Sequence, residues 1–108
     1  MKYKLQYPEV NKLVLVNVDS LIGRLSKDTP EFFISPNTKS LISLGRINSC
    51  IEFLKNNEVV EPPFILLENG LMGVVDGRHR IAAAKKMGYT HLYIEVPRDQ
   101  KNLFNCLI

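Results

Sequence analysis

Residues 70–96 limit the possible folds most, because they read as a strand, a tight turn, a helix and a second strand. Residues 71–75 are apolar and rich in strand-forming types, whereas residues 81–87 are strongly helix-forming. Gly88 stands where a left-handed C-terminal cap would end that helix. Residues 91–96 then alternate between apolar and other side chains, as a strand does. A polar cluster, residues 76–80, therefore falls at the turn that enters the helix.

This cluster consists of Asp76, Gly77, Arg78, His79 and Arg80. A helix N-terminus exposes unpaired backbone N–H groups and the positive end of the helix dipole, so it attracts anions. Two guanidinium groups and an imidazole add donors suited to phosphate oxygens. We therefore expect phosphate to bind at Gly77, Arg78, His79 and Arg80, with Arg80 as the main contact. The alternative for so short a motif is a turn with solvated charges.

The same residues suggest separate roles. Asp76 is expected to cap the helix, and it could also orient His79 or Arg80, or hold a metal or a substrate hydroxyl. Gly77 is predicted to adopt a backbone conformation that a side chain would forbid. His79 is a candidate general acid–base or phosphate donor, and a structural histidine is the alternative. Asp76 and His79 are thus the candidate catalytic residues, and no motif indicates a dedicated metal site.

Residues 76–80, followed by the small residues 81–84 and by Gly88, resemble the signature of the ParB/sulfiredoxin-like superfamily. The resemblance extends more loosely to residues 16–22 and 59–67. It implies a small α/β fold whose motif binds a nucleoside triphosphate (ATP or CTP), with Mg²⁺ where the site is active. Members use this site for CTP-gated DNA clamping, ATP-dependent phosphoryl transfer or nuclease activity. Arg78 stands where sulfiredoxins carry their nucleophilic cysteine, so peroxide repair is not expected.

Three functions follow as hypotheses. The first is a nucleotide-dependent enzyme that transfers or hydrolyses a phosphoryl group at this turn. The second is a nuclease acting on DNA or RNA, of the kind found in toxin or effector domains. The third is a binding module that keeps the fold without the chemistry. A catalytic carboxylate outside the motif is open among Glu9, Glu31 and Glu61.

Length and composition set the remaining limits. The 108 residues suit one domain, residues 1–108, and 45% hydrophobic residues are ordinary for a globular chain. A net charge of +3 permits a nucleic-acid partner without demanding one. No apolar run approaches the ~20 residues of a membrane span. Cys50 and Cys106 match no zinc spacing, so reduced thiols in a cytoplasmic protein are expected.

The rest of the chain predicts further strands and helices. Residues 12–18 form a nearly continuous apolar run, which predicts a strand buried on both faces. Asp19 is the expected N-cap of the short turn that follows. Residues 29–34 predict a brief helix. Residues 44–56 predict a long helix that starts near Ser40 or Ser43, and its Arg46 could face the same pocket as the motif.

The last segments complete the predicted architecture. Residues 64–67 read as a strand, and Asn69-Gly70 predicts a type I′ hairpin leading into residues 71–75. The apolar tail, residues 103–108, is expected to pack on the core or against a partner protein. Together the pattern predicts an α/β (α+β) fold with a mixed sheet of about four or five strands, covered by helices at residues 44–56 and 79–87.

Overall fold

The computed structural model describes residues 2–25, 39–56 and 59–107. In chain order the elements are β1 (Lys2–Tyr3), β2 (Asn11–Asn17), α1 (Val18–Arg24), α2 (Leu41–Asn56), β3 (Val59–Val60), β4 (Phe64–Glu68), β5 (Leu71–Asp76), α3 (Arg78–Lys86), β6 (His91–Pro97) and a C-terminal 3₁₀ segment (Arg98–Leu107). The brief helix predicted at residues 29–34 lies outside the described residues. Candidate Glu31 lies there too.

A mixed four-stranded sheet forms the centre of the fold. Its strand order is β2-β6-β4-β5, and β1 and β3 form a separate parallel pair. β2 and β6 run antiparallel, as do β4 and β5, whereas β4 and β6 are parallel. The predicted mixed α/β fold with helices packed around a small sheet is confirmed.

The hairpin between β4 and β5 forms as predicted. Asn69 and Gly70 both have positive φ angles, 53° and 78°, and Glu68 pairs with Leu71. Two consecutive positive φ angles are the requirement of a type I′ turn. The hairpin therefore fixes the direction of β5, whose far end carries the polar cluster.

Helix α3 is buried on two sides. Ile81 and Ala84 belong to the main core beneath the sheet. Ala82 and Ala83 belong to a second cluster, which contains Ile47 and Leu54 of α2 and Val60 of β3. The small alanines allow α2 to lie close to α3. Helix α2 therefore packs on α3, with α3 between it and the main core.

Two predictions near the start of the sheet are wrong. β2 is buried on one face: Val14 and Val16 are in the core, whereas Leu15, on the opposite face, is 39% exposed. The continuous apolar run therefore does not mean burial on both faces. The N-cap of α1 is Asn17, whose side-chain oxygen accepts the backbone N–H of Ser20 at 2.9 Å. Asp19 is instead in the first turn of α1.

The C-terminal tail packs on the core, which is one of the two outcomes predicted for it. Phe104 is fully buried in the main core, while its neighbour Leu103 is 53% exposed. The 3₁₀ segment thus closes the core beside β2. Among the helices that the structure describes, none is long and apolar enough to cross a membrane.

Candidate functional site

Gly77 shapes the turn between β5 and α3. It is the N-cap of α3 with φ 98°, and no side chain caps the helix there. A Cβ atom at this position would lie 2.8 Å from Cα of Pro63. Only glycine satisfies both the positive φ and the close approach. The prediction for Gly77 is confirmed, whereas the prediction that Asp76 caps the helix is wrong, because β5 runs directly into a glycine-capped turn.

A cavity of about 850 Å³ opens between the first half of α2 and the junction of β5 and α3. Its lining contains every motif residue predicted for the site: Asp76, Gly77, Arg78, His79 and Arg80. Helix α2 contributes Leu41, Ile42, Gly45, Arg46, Ser49 and Cys50, and β5 contributes Val74 and Val75. The volume is in the range of small-molecule sites, ~300–1,000 Å³. The suggestion that Arg46 faces the same pocket is confirmed.

The cavity combines a cationic end with the N-terminus of α3. Arg78 and His79 occupy the first turn, where backbone N–H groups have no acceptor within the helix itself. Arg46 approaches from α2 and makes no ion pair with any described residue. Cationic side chains and the positive end of the dipole therefore act on the same space, which favours an anion.

The surroundings of His79 lower the pKa of its imidazole and so disfavour its charged form. Burial lowers the pKa of its imidazole, and the guanidinium groups of Arg78 and Arg46 lower that pKa further. A neutral imidazole near pH 7 has one nitrogen lone pair free to accept a proton. The geometry thus gives His79 the protonation state that a general base needs.

We expect the NMR pKa of His79 to lie below 6.5, and to rise when an anion enters the cavity. The chain has only two histidines, so a His91→Gln variant leaves a single imidazole signal to titrate. The unfolded state binds this proton more readily, so His79 contributes stability that is complete above pH 6.5 and is lost as the pH falls toward the lowered pKa. A pKa at or above 6.5 in the free protein would contradict this account.

Arg80 lines the cavity but is held by two carboxylates. Its Nη2 lies 3.4 Å from Oε2 of Glu61, and its Nη1 lies 3.7 Å from Oδ2 of Asp76. Both carboxylates are more than half exposed, and ion pairs of this kind are weak, ~0–1 kcal/mol. The expected role of Asp76 in orienting Arg80 agrees with this contact. A phosphate at Arg80 would have to compete with both carboxylates.

Glu95 is a carboxylate that sequence reasoning missed. It is fully buried, and its Oε1 accepts the backbone N–H of Gln6 at 2.7 Å. Its Oε2 accepts the backbone N–H of Tyr7 at 2.9 Å and Nδ2 of Asn11 at 2.6 Å. In the sequence, the only sign of a special role for Glu95 is its position between Ile94 and Val96. Because a strand alternates, that position predicts an outward-facing side chain.

Glu95 also supports the turn of the motif. The backbone N–H of Glu95 donates to the carbonyl oxygen of Pro63 at 2.8 Å, and Pro63 is the residue packed against Gly77. Glu61, Asp76, Arg80 and Glu95 line a smaller neighbouring cavity of about 280 Å³. Since both oxygens of Glu95 already accept hydrogen bonds, its role here is to hold the N-terminal segment beside this cavity.

Several other polar residues lie away from the cavity. Lys85 pairs with Asp19, and His91 contacts the hydroxyl of Thr90 at 3.1 Å. Glu9 is exposed, and its backbone carbonyl accepts a hydrogen bond from Nη2 of Arg98 at 2.9 Å. Of the two candidate carboxylates that lie in the described part of the chain, Glu9 and Glu61, it is Glu61 that lies beside the cluster.

The donor groups around the cavity limit how a metal ion could bind there. Among the described residues, no three histidine, cysteine, aspartate or glutamate side chains converge as a metal site. Mg²⁺ commonly binds through one or two carboxylates together with phosphates of a substrate. Asp76, on the cavity wall, fits that requirement and would hold the ion beside bound phosphates.

Comparison of the chain with protein-family models, with curated proteins and with solved structures found no match.

Proposed function

We propose that the chain binds the phosphates of a nucleoside triphosphate in the cavity between α2 and the N-terminus of α3, as a ParB/sulfiredoxin-like domain. The observation that carries the proposal is the convergence of Arg46, Arg78 and the glycine-capped end of α3 on one cavity of about 850 Å³. Helix N-termini and arginine forks are both suited to phosphate oxygens. The residues that bear this cationic charge come from two separate helices, so their convergence depends on the tertiary fold.

The reaction class that the site supports best is hydrolysis or transfer of the terminal phosphoryl group. In hydrolysis a water oxygen would bond to the terminal phosphorus, the bond to the bridging oxygen would break, and the water would release a proton. His79, neutral for the reasons given above, is the group that can accept this proton. Arg46 and Arg78 would neutralise the charge that develops on the phosphate oxygens. Mg²⁺, where bound, supplies further charge neutralisation.

The direct test is isothermal titration with ATP, CTP and GTP, with and without Mg²⁺, followed by an assay for released phosphate. Binding together with release supports the enzyme, and binding without release supports a nucleotide-binding module. No heat change at millimolar nucleotide would overturn the proposal. Cleavage of DNA or RNA by a chain that binds no nucleotide would instead favour the nuclease.

Arg46→Ala is expected to weaken nucleotide binding by about ten- to a hundredfold. A hydrogen bond to a charged group contributes about 1.5–3 kcal/mol, and each 1.4 kcal/mol is a factor of ten. The matched control is Lys55→Ala, because Lys55 is an exposed cation in the last turn of the same helix and lines none of the cavities described here. Titration calorimetry measures both. Equal weakening by the two variants would mean that Arg46 acts only through overall charge.

A further inference from the structure

A second, apolar groove adjoins the phosphate cavity. It has a volume of about 290 Å³. Its lining residues are Ser49, Cys50, Phe53, Leu54, Val60, Glu61 and Arg80. Ser49, Cys50 and Arg80 line the phosphate cavity as well, so the two spaces meet along these side chains. The groove differs from the cavity in chemistry: its described lining is mainly apolar, and the charged residues in that lining are Glu61 and Arg80.

The two spaces follow one face of α2. Ser49 and Cys50 follow Arg46 by three and four residues, and Phe53 follows them by four and three, which places all of them along one side of the helix. From Arg46 to Phe53 the helix advances two turns, about 10 Å at 1.5 Å per residue. This distance is comparable with the separation between the base and the outer phosphates of an extended nucleotide.

The inference rests on the function proposed above: we propose that this apolar groove holds the base of the bound nucleotide. Phe53 is 46% exposed and gives the groove an aromatic side chain, while Leu54 and Val60 are buried apolar contacts behind it. Bases stack on aromatic side chains through their π faces. A flat, apolar group joined to a phosphate chain therefore matches the combined shape of groove and cavity.

Glu61 gives the groove a polar edge. Its Oε2 lies near Arg80, and its side chain is 55% exposed. Carboxylate oxygens accept hydrogen bonds from exocyclic amino groups of bases. The ligand class is thus a nucleoside triphosphate, in which the base contributes affinity, as opposed to an inorganic polyphosphate held by the cations alone.

The test compares ATP with inorganic tripolyphosphate on three proteins: the wild-type chain, Phe53→Ala and Leu103→Ala. Leu103 is an exposed apolar residue of the 3₁₀ segment and serves as the control. We expect the wild-type chain and Leu103→Ala to bind ATP about tenfold more tightly than tripolyphosphate. In Phe53→Ala that advantage should disappear, with tripolyphosphate binding unchanged.

The possible outcomes separate a failure of the base-groove inference from a failure of the proposed nucleotide binding. Equal affinity of wild-type protein for ATP and tripolyphosphate would overturn the base groove and leave phosphate binding intact. Failure of both ligands to bind would overturn the proposed function itself. A melting curve on each variant confirms that Phe53→Ala is folded when its affinities are measured.

The two cysteines provide a second readout without any substitution in the groove. Cys50 lies where groove and cavity meet, and Cys106 is exposed on the 3₁₀ segment. Burial raises the pKa of the Cys50 thiol, an effect that Arg80 partly opposes, so alkylation is run in alkaline buffer. ATP should slow alkylation of Cys50 several-fold more than tripolyphosphate does, with Cys106 unaffected by either. Equal slowing of Cys50 by the two ligands would overturn the inference.

Discussion

Gly77→Ala is expected to destabilise the protein by about 2–5 kcal/mol. An alanine at φ 98° pays for an unfavourable backbone conformation, ~1–2 kcal/mol. Its Cβ would also lie 2.8 Å from Cα of Pro63, a backbone atom that cannot rotate away. Relieving that overlap by a backbone shift costs roughly a further 1–3 kcal/mol. Because small domains are stable by only about 5–15 kcal/mol, urea unfolding should show a large decrease in the midpoint concentration.

Gly88→Ala is the matched control for this experiment. Gly88 has a similar φ of 80°, but a Cβ built there has no atom of the described residues within 4 Å. It therefore carries the backbone penalty without the collision, and its expected cost is about 1–2 kcal/mol. If the two variants were equally destabilised, the close approach of Pro63 to Gly77 would contribute nothing to the loss of stability in Gly77→Ala. Any loss of nucleotide affinity in folded Gly77→Ala would then report on the shape of the turn.

Glu95→Ala is the second variant with a large expected effect, about 3–5 kcal/mol of lost stability. It leaves three donors without their carboxylate: the backbone N–H groups of Gln6 and Tyr7, and Nδ2 of the buried Asn11. Hydrogen bonds to charged groups contribute about 1.5–3 kcal/mol each, and unsatisfied buried donors carry their own cost. The effects of neighbouring bonds are not additive, so the total falls below their sum. Urea unfolding measures it.

Two controls separate the buried carboxylate from general effects of losing a glutamate. Glu95→Gln keeps the shape and one acceptor oxygen, so it should be less damaging than Glu95→Ala. Glu52→Ala removes an exposed glutamate of α2 and should change stability by no more than about 0.5 kcal/mol. A Glu95→Ala protein as stable as Glu52→Ala would show that the N-terminal segment does not depend on this carboxylate.

Local signals predicted the part of the fold nearest the motif. Asn69-Gly70 determines its turn through its own backbone preferences, and Gly77 and Gly88 mark the two ends of α3 for the same reason. Interactions of this kind are made between neighbouring residues in the chain, so a single sequence is enough to predict them. The position of the cluster at a helix N-terminus could therefore be predicted from the sequence alone.

Interactions between distant segments of the chain were harder to predict from the sequence. Whether the apolar run of β2 is buried on both faces depends on which distant segments pack on each face of the sheet, and the residues of β2 do not determine that. The partners of Glu95 are more than 80 residues away in the chain. The groove beside Val60 requires α2 to lie on α3, and this packing depends on alanines whose spacing alone indicates only a helix. Site residues brought together by tertiary packing are thus the ones that sequence reasoning misses.

The burial of α3 on two sides has a consequence for how the site can move. Ile81 and Ala84 belong to one core and Ala82 and Ala83 to the other, so tilting the helix would disturb both at once. Segments whose opening breaks a core unfold only together with the whole domain, whereas loosely packed segments open by themselves. The turn at Gly77 is the N-cap of this helix. We therefore expect the turn to open mainly through global unfolding, so a ligand that bound there would protect the entire domain from proteolysis.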